Sequence, residues 1–135
     1  MAPTPEALTE IARTSMPFAR KLGLTIDAGG PHEVVAHAAW APEHCTAGGA
    51  LHGGFLMGLA DSVGAMCAFL NLPDGAATST VESKSNFFRP VTAGVVKVTA
   101  QPVHVGGRII VVQTDIHDDE GRLVSRTIQT QAVLG

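Results

Sequence analysis

The spacing of apolar positions along the 135-residue chain changes three times. Leu8, Ile11, Ala12 and Met16 recur at helical intervals behind Thr4-Pro5-Glu6. That opening supplies a hydroxyl N-cap, a proline at the first helical position and an acid near the positive end of the dipole. It predicts a short helix to about Ser15. Over residues 21–26 and 33–40 the spacing becomes strand-like, and Gly29-Gly30-Pro31 between them reads as a hairpin turn. Residues 41–51 form a connection rich in Gly, Pro and polar residues. An apolar run then extends from Gly53-Gly54 to Leu72 and predicts one long buried helix, apolar on every side. After Pro73-Asp74-Gly75 the period falls to two, predicting four strands over residues 78–88, 94–104, 108–117 and 123–134. Gly106-Gly107 and Asp118-Asp119-Glu120-Gly121 are tight connections between the later ones. Helix, two strands, long helix, four strands fits the α+β class: a single domain over residues 1–135, one antiparallel sheet wrapped around one helix.

Composition sharpens this picture in two respects. At 45% hydrophobic and 16% charged, so small a chain is expected to hide part of its apolar surface in a homo-oligomer. A formal net charge of -3, a single Trp and no Tyr argue against nucleic acid as a partner. Cys45 and Cys67 are too few for a disulfide framework, and His44, Cys45 and His52 match no metal-ligand spacing, so no metal is expected. The first ten residues lack the basic and apolar regions of a signal peptide. The long apolar run carries Asp61, Ser62, Asn71 and several Gly with no basic flank, which argues against a membrane span and for a cytoplasmic setting.

Candidate chemistry centres on Asp61. It is the only formally charged side chain between His44 and Pro73, and no Lys or Arg occurs from Leu22 to Ser83. A charge in an apolar helix is costly unless it is paired, hydrogen-bonded or functional. At helical spacing Gly54, Gly58, Asp61 and Ala65 share one stripe, bordered by Met57. Each interior Gly costs about 1 kcal/mol relative to Ala, so either another backbone or a ligand approaches there. His52, Gly53 and Gly54 open the helix, where unpaired N–H groups and the dipole suit a developing oxyanion. His52 and Asp61 are nine residues apart, roughly 13 Å along the axis, so one chain cannot bring both to one carbon. Antiparallel helices across a two-fold would. Asp61 as a structural acceptor and His52 as an ordinary cap remain open readings at this level. Neither a nucleophile elbow nor a phosphate loop is present.

His52-Gly53-Gly54 followed by Asp61, Asn86-Phe87-Phe88-Arg89-Pro90, His104-Val105-Gly106-Gly107-Arg108 and Asp119-Glu120-Gly121-Arg122-Leu123-Val124 together resemble the hot-dog-fold acyl-CoA thioesterases. The likeness is to the phenylacetate-degradation and 4-hydroxybenzoyl-CoA branch and spans nearly the whole chain. It implies hydrolysis of an acyl-CoA thioester in a homo-oligomer, a tetramer built as a dimer of dimers, with no cofactor beyond the CoA of the substrate. By position, Asp61 is the nucleophile or general base, Gly53 or Gly54 polarises the carbonyl through its N–H, and His52 contacts the thioester. Thr80 supports the acid or a water. Thr46 stands where relatives carry Asn or Gln, and Ala65 where some carry a hydroxyl. Arg89 and Arg108, the latter flanked by His104 and Gly107, match positions that meet CoA phosphates. Asn86, Phe88 and Met57 join the substrate-binding set, and Leu56, Met57, Phe69 or Phe88 are candidates to line the acyl pocket. Aromatic acyl groups are favoured by the resemblance, with medium-chain acyl groups as an alternative.

Two other functions share this fold. One is an enoyl-CoA hydratase or acyl-thioester dehydratase, whose Asp-x-Asn-Pro-φ-His run is missing here. The other is an acyl-CoA-binding protein without turnover, which Thr46 at the usual amide position keeps in play.

Overall fold

The computed structural model describes residues 3–135. The chain runs α1 (Pro5–Ser15), α2 (Pro17–Leu22), β1 (Thr25–Gly30), β2 (Glu33–Ala39), α3 (Gly53–Phe69), β3 (Ala77–Phe87), β4 (Val95–Val105), β5 (Ile109–His117) and β6 (Leu123–Leu134). Thr4 caps α1 by accepting the Ala7 N–H at 3.1 Å, and Leu8 and Ala12 carry its apolar stripe into the core. The strand expected from Lys21 begins only at Thr25. Lys21 and Leu22 close α2, which Gly23 terminates in the left-handed conformation at φ 74°. Gly29 and Gly30 belong to β1, paired with Val34 and Glu33, so the turn is Pro31-His32. A Cβ on Gly29 would stand 2.7 Å from Leu8 Cδ1, so this glycine admits α1 against the strand.

All six strands form one antiparallel sheet in the order β1-β2-β4-β5-β6-β3. It wraps α3 as expected, with α3 packing on every strand from β2 to β6. Leu59, Val63 and Cys67 of the helix meet Val34, Val96, Val98, Ile110, Val112 and Ile116 in the core. The helix stops at Phe69, short of Leu72, because the Asn71 side-chain amide donates to the Cys67 carbonyl at 2.9 Å and to the Pro31 carbonyl at 2.8 Å. Nor is α3 buried on every side. Met57, Asp61 and Phe69 are exposed, and Asp61 lies on the flank of the helix beside the edge strand β3. A sheet covers only one side of a helix, so the all-round apolar pattern leaves one flank uncovered within a single chain.

β3 is an edge strand, exposed along most of its length. Its register with β6 slips between Thr80 and Glu82, leaving Val81 as a bulge. A one-residue insertion reverses which residues face the helix. Before it, Thr78 and Thr80 point inward. After it, Ser85 and Phe87 do, Ser85 bonding Thr127 at 2.7 Å and Phe87 resting its ring over Gly53. Among the described residues, no helix is long and apolar enough to cross a membrane.

Candidate active site

Two groups of candidate side chains stand on α3, one at its N-terminus and one on its exposed middle. At the N-terminus, His52 is the N-cap, and its Nδ1 accepts the Gly54 N–H at 2.8 Å. That bond makes Nδ1 the acceptor and leaves the proton on Nε2. A Cβ on Gly54 would lie 3.0 Å from Nδ1, so the glycine is what lets the imidazole fold back over the helix end. Gly54 is thereby occupied, and the Gly53 N–H, first in the helix, has no partner among the described residues. Of the two glycines, Gly53 holds the available donor.

In the middle of α3, Asp61 is exposed, and its Oδ1 accepts two hydrogen bonds. Thr80 Oγ1 donates at 2.7 Å and Gln129 Nε2 at 2.9 Å. Gln131 Nε2 donates in turn to Thr80 Oγ1 at 2.6 Å, and Thr78 Oγ1 shares its proton between the Ala132 carbonyl at 2.8 Å and Gln131 Oε1 at 3.0 Å. Oδ2 accepts no hydrogen bond among the described residues. The carboxylate is therefore held by one oxygen and open at the other.

The sequence reading included Thr80 but neither glutamine. Gln129 and Gln131 are fully buried, and with Ser125 and Thr127 they form a polar row on the helix-facing side of β6. Their signal was present as polar residues at every second position of the last strand. Neutral amides and hydroxyls at that spacing suit an inward face that carries hydrogen bonds.

The small-residue stripe resolves into separate causes. Gly58 makes room for α2, since a Cβ there would meet Phe18 Cε2 at 3.0 Å and Leu22 Cδ1 at 3.3 Å. Ala65 lines a mainly apolar cleft of about 330 Å³ with Ile11, Met16, Met66, Phe69 and Thr78, one turn beyond Asp61. A second cleft of about 470 Å³ lies beside His52 and Gly54, walled by Phe18, Leu22, His44 and Phe55. Met57 and Phe88 are exposed, whereas Leu56 is buried in the core and lines neither cleft. Thr46 is exposed in the loop before α3, where its N–H donates to the Ala50 carbonyl.

The basic candidates divide between opposite ends of the sheet. Arg89 and Asn86 sit where β3 ends beside Ser125, with Arg89 Nε donating to the Leu123 carbonyl at 3.3 Å. Arg108 and Gly107 belong to the β4–β5 turn and His104 to the end of β4, and the Arg108 carbonyl accepts from the Val133 N–H. That turn lies beside the start of β3, which pairs Ala77 with Leu134. The ten residue steps of β3 separate the two ends by about 34 Å. Within one chain the two arginines do not meet, and Gly53 and Asp61 do not meet either.

Comparison with known proteins gives the following likenesses. Residues 48–125 match the thioesterase superfamily. A Mycobacterium tuberculosis protein bearing the name of an esterase is 30% identical over 129 residues, 93% of this chain and 91% of its own. A proofreading thioesterase of Cronobacter sakazakii is 32% identical over 87 residues, 64% of each chain. Among solved structures, a Haemophilus influenzae thioesterase superposes with a TM-score of 0.92 at 29% identity, covering 100% of this chain and 93% of that one. The Mycobacterium tuberculosis protein superposes with a TM-score of 0.85 at 31% identity, covering 88% and 97%.

Proposed function

This chain belongs to the thioesterase superfamily and has its hot-dog fold; from that premise we propose that it is an acyl-CoA thioesterase whose active sites are shared between two subunits. Thioester hydrolysis is the chemistry of the family. The finer reading rests on one observation. Asp61 has one oxygen tied by Thr80 and Gln129 and the other open, while the unpaired Gly53 N–H stands eight residues away on the same helix. A carbonyl on Gly53 is out of reach of Asp61 in its own chain.

A two-fold axis that sets two β3 edges antiparallel reverses the directions of both β3 and α3. It brings the Gly53 end of one helix toward Asp61 of the partner subunit. It also brings the Arg89 end of one sheet toward Arg108 of the partner subunit. One operation thus removes both separations. The exposed edge of β3 and the exposed Met57-Asp61-Phe69 face of α3 are the surfaces it would cover. Two such dimers would form the tetramer.

In that site the thioester oxygen accepts the Gly53 N–H at the positive end of α3, and the His52 Nε2–H orients the thioester. Oδ2 of Asp61 of the partner subunit either attacks the carbonyl carbon or takes a proton from an attacking water, which the Thr46 hydroxyl helps to hold. Collapse of the tetrahedral adduct expels CoA as its thiolate; on the nucleophilic route this leaves an acyl anhydride on Asp61 that water then cleaves, and on either route water supplies the oxygen of the free acid and the proton of the thiol. Arg89 and Arg108 meet the phosphates of CoA, with Asn86, Phe88, His104 and Gly107 beside them. The apolar cleft at Ala65 and Phe69 adjoins the carboxylate and suits an aromatic or medium-chain acyl group.

The decisive experiment is Asp61→Asn assayed with a panel of acyl-CoA esters by thiol release. It loses nearly all turnover while still binding CoA esters and keeping its oligomeric state. Wild-type protein that binds the esters without releasing thiol is instead a carrier.

A further inference from the structure

Two fully buried glutamines are an unusual way to fill the interior of a small sheet. Gln129 Oε1 has no hydrogen-bond donor among the described residues, nor has the neighbouring Thr114 hydroxyl a partner. Unpaired buried polar atoms destabilise a fold, and an apolar side chain of equal length at position 129 would avoid that loss. The other end of the same carboxamide donates to Asp61 Oδ1 at 2.9 Å. The arrangement also constrains the helix. A Cβ on residue 64 would overlap Gln129 Oε1 and lie 2.7 Å from its Cδ. Gly64 is three residues from Asp61, on the side of α3 that faces β6, and its missing side chain is the gap through which the carboxamide passes.

Gln131 completes the constraint through Thr80. A hydroxyl has one proton. Because Gln131 Nε2 donates to Thr80 Oγ1 at 2.6 Å, that oxygen is the acceptor of one bond and directs its own proton to Asp61 Oδ1. The two donors thus converge on Oδ1 from different strands: Gln129 directly from its buried place on β6, and Thr80 from the edge strand β3, oriented by the buried Gln131 of β6.

We propose that Gln129, admitted by Gly64, is a positioning residue: with the Gln131–Thr80 pair it holds Asp61 by Oδ1 so that Oδ2 faces the substrate carbonyl. This rests on Asp61 being the catalytic carboxylate. Loss of a hydrogen bond to a charged group predicts that Gln129→Met lowers kcat on the order of 10- to 100-fold. KM changes less than about threefold, because the carboxamide touches no substrate. Gly64→Ala displaces the carboxamide from the helix side without removing any hydrogen-bonding group, and gives the same selective fall in kcat. In an Asp61→Asn background Gln129→Met reduces the residual rate no further.

The measurement is kcat and KM per folded oligomer, with melting temperature, for both single variants, Asp61→Asn and the double variant. Wild-type kcat per folded molecule in Gln129→Met or Gly64→Ala, beside an inactive Asp61→Asn, overturns the positioning role alone. An active Asp61→Asn overturns the reading on which it rests. A melting temperature that falls with kcat unchanged assigns the amide to stability only, and likewise overturns the proposal.

Discussion

Replacing Gly53 by proline deletes one hydrogen atom from the proposed oxyanion site and little else. Position 53 is the first of α3, where the N–H has no intrahelical acceptor, and proline is well tolerated there. The residue before a proline must be extended, and His52 already is, at φ -63° and ψ 138°. A new Cβ would lie 3.3 Å from Cζ of Phe87, whose ring is about half exposed and free to move slightly. Proline also restricts the unfolded chain, a gain of about 0.4–1 kcal/mol that offsets that contact. The melting temperature should therefore shift by only a few degrees. Catalysis should not survive so well. Removing one oxyanion donor costs about 2.7–4 kcal/mol, or roughly 10²–10³ in kcat. Gly53→Ala keeps the N–H and meets Phe87 at the same distance, so it is the control and should remain within a few-fold of wild type. Steady-state thiol release from an acyl-CoA ester measures both. Equal rates for the two variants would refute the assignment of the Gly53 N–H as the donor.

Further expectations follow from the clefts, the basic ends and the buried thiol. Ala65→Phe should fill much of the cleft beside Asp61 and lower kcat/KM for bulky acyl groups at least about tenfold relative to acetyl-CoA; a uniform fall across chain lengths would place the acyl group elsewhere. Arg108→Ala should raise KM for acyl-CoA several-fold, less so at high salt, yet leave turnover of a truncated thioester lacking the CoA phosphates unchanged. Burial raises the Cys67 thiol from 9.0 to about 11. A chromogenic disulfide at pH 8 should therefore titrate at most one thiol per native chain, Cys45, and both in denaturant. Because that thiol ionises more readily unfolded than folded, its contribution to stability is complete below pH 9 and declines as pH rises toward 11. Cys67→Ala should flatten that decline.

β4 and β5 were legible because apolar residues recur at every second position, whereas β3 and β6 alternate mainly polar residues and are marked by the Gly, Pro and acidic turns beside them. The N-terminal region was less so. Pro17 to Leu22 is too short to display helical periodicity, and Gly29-Gly30 carried a turn signal although both glycines pair within β1. The bulge at Val81 has no sequence signature, yet it lets Thr80 face Asp61 and Phe87 face Gly53 on one strand. Asp61 stood out from its isolation in an apolar run. Its partners Gln129 and Gln131 did not, since polar residues alternating along a strand ordinarily mark the solvent face. The exposed side of α3 was missed for a related reason. Hydropathy records that a surface will be covered, and not whether its own chain or a second one covers it.

The shared site can be tested by mixing. Asp61→Asn and Gly53→Pro subunits, each inactive alone, are combined, dissociated and reassembled in equal amounts. In a mixed dimer one site then carries both lesions and the other none. Random pairing should restore roughly a quarter of wild-type activity. A mixture that stays inactive although mixed dimers have formed would place Asp61 and Gly53 in a site within one chain and contradict the account.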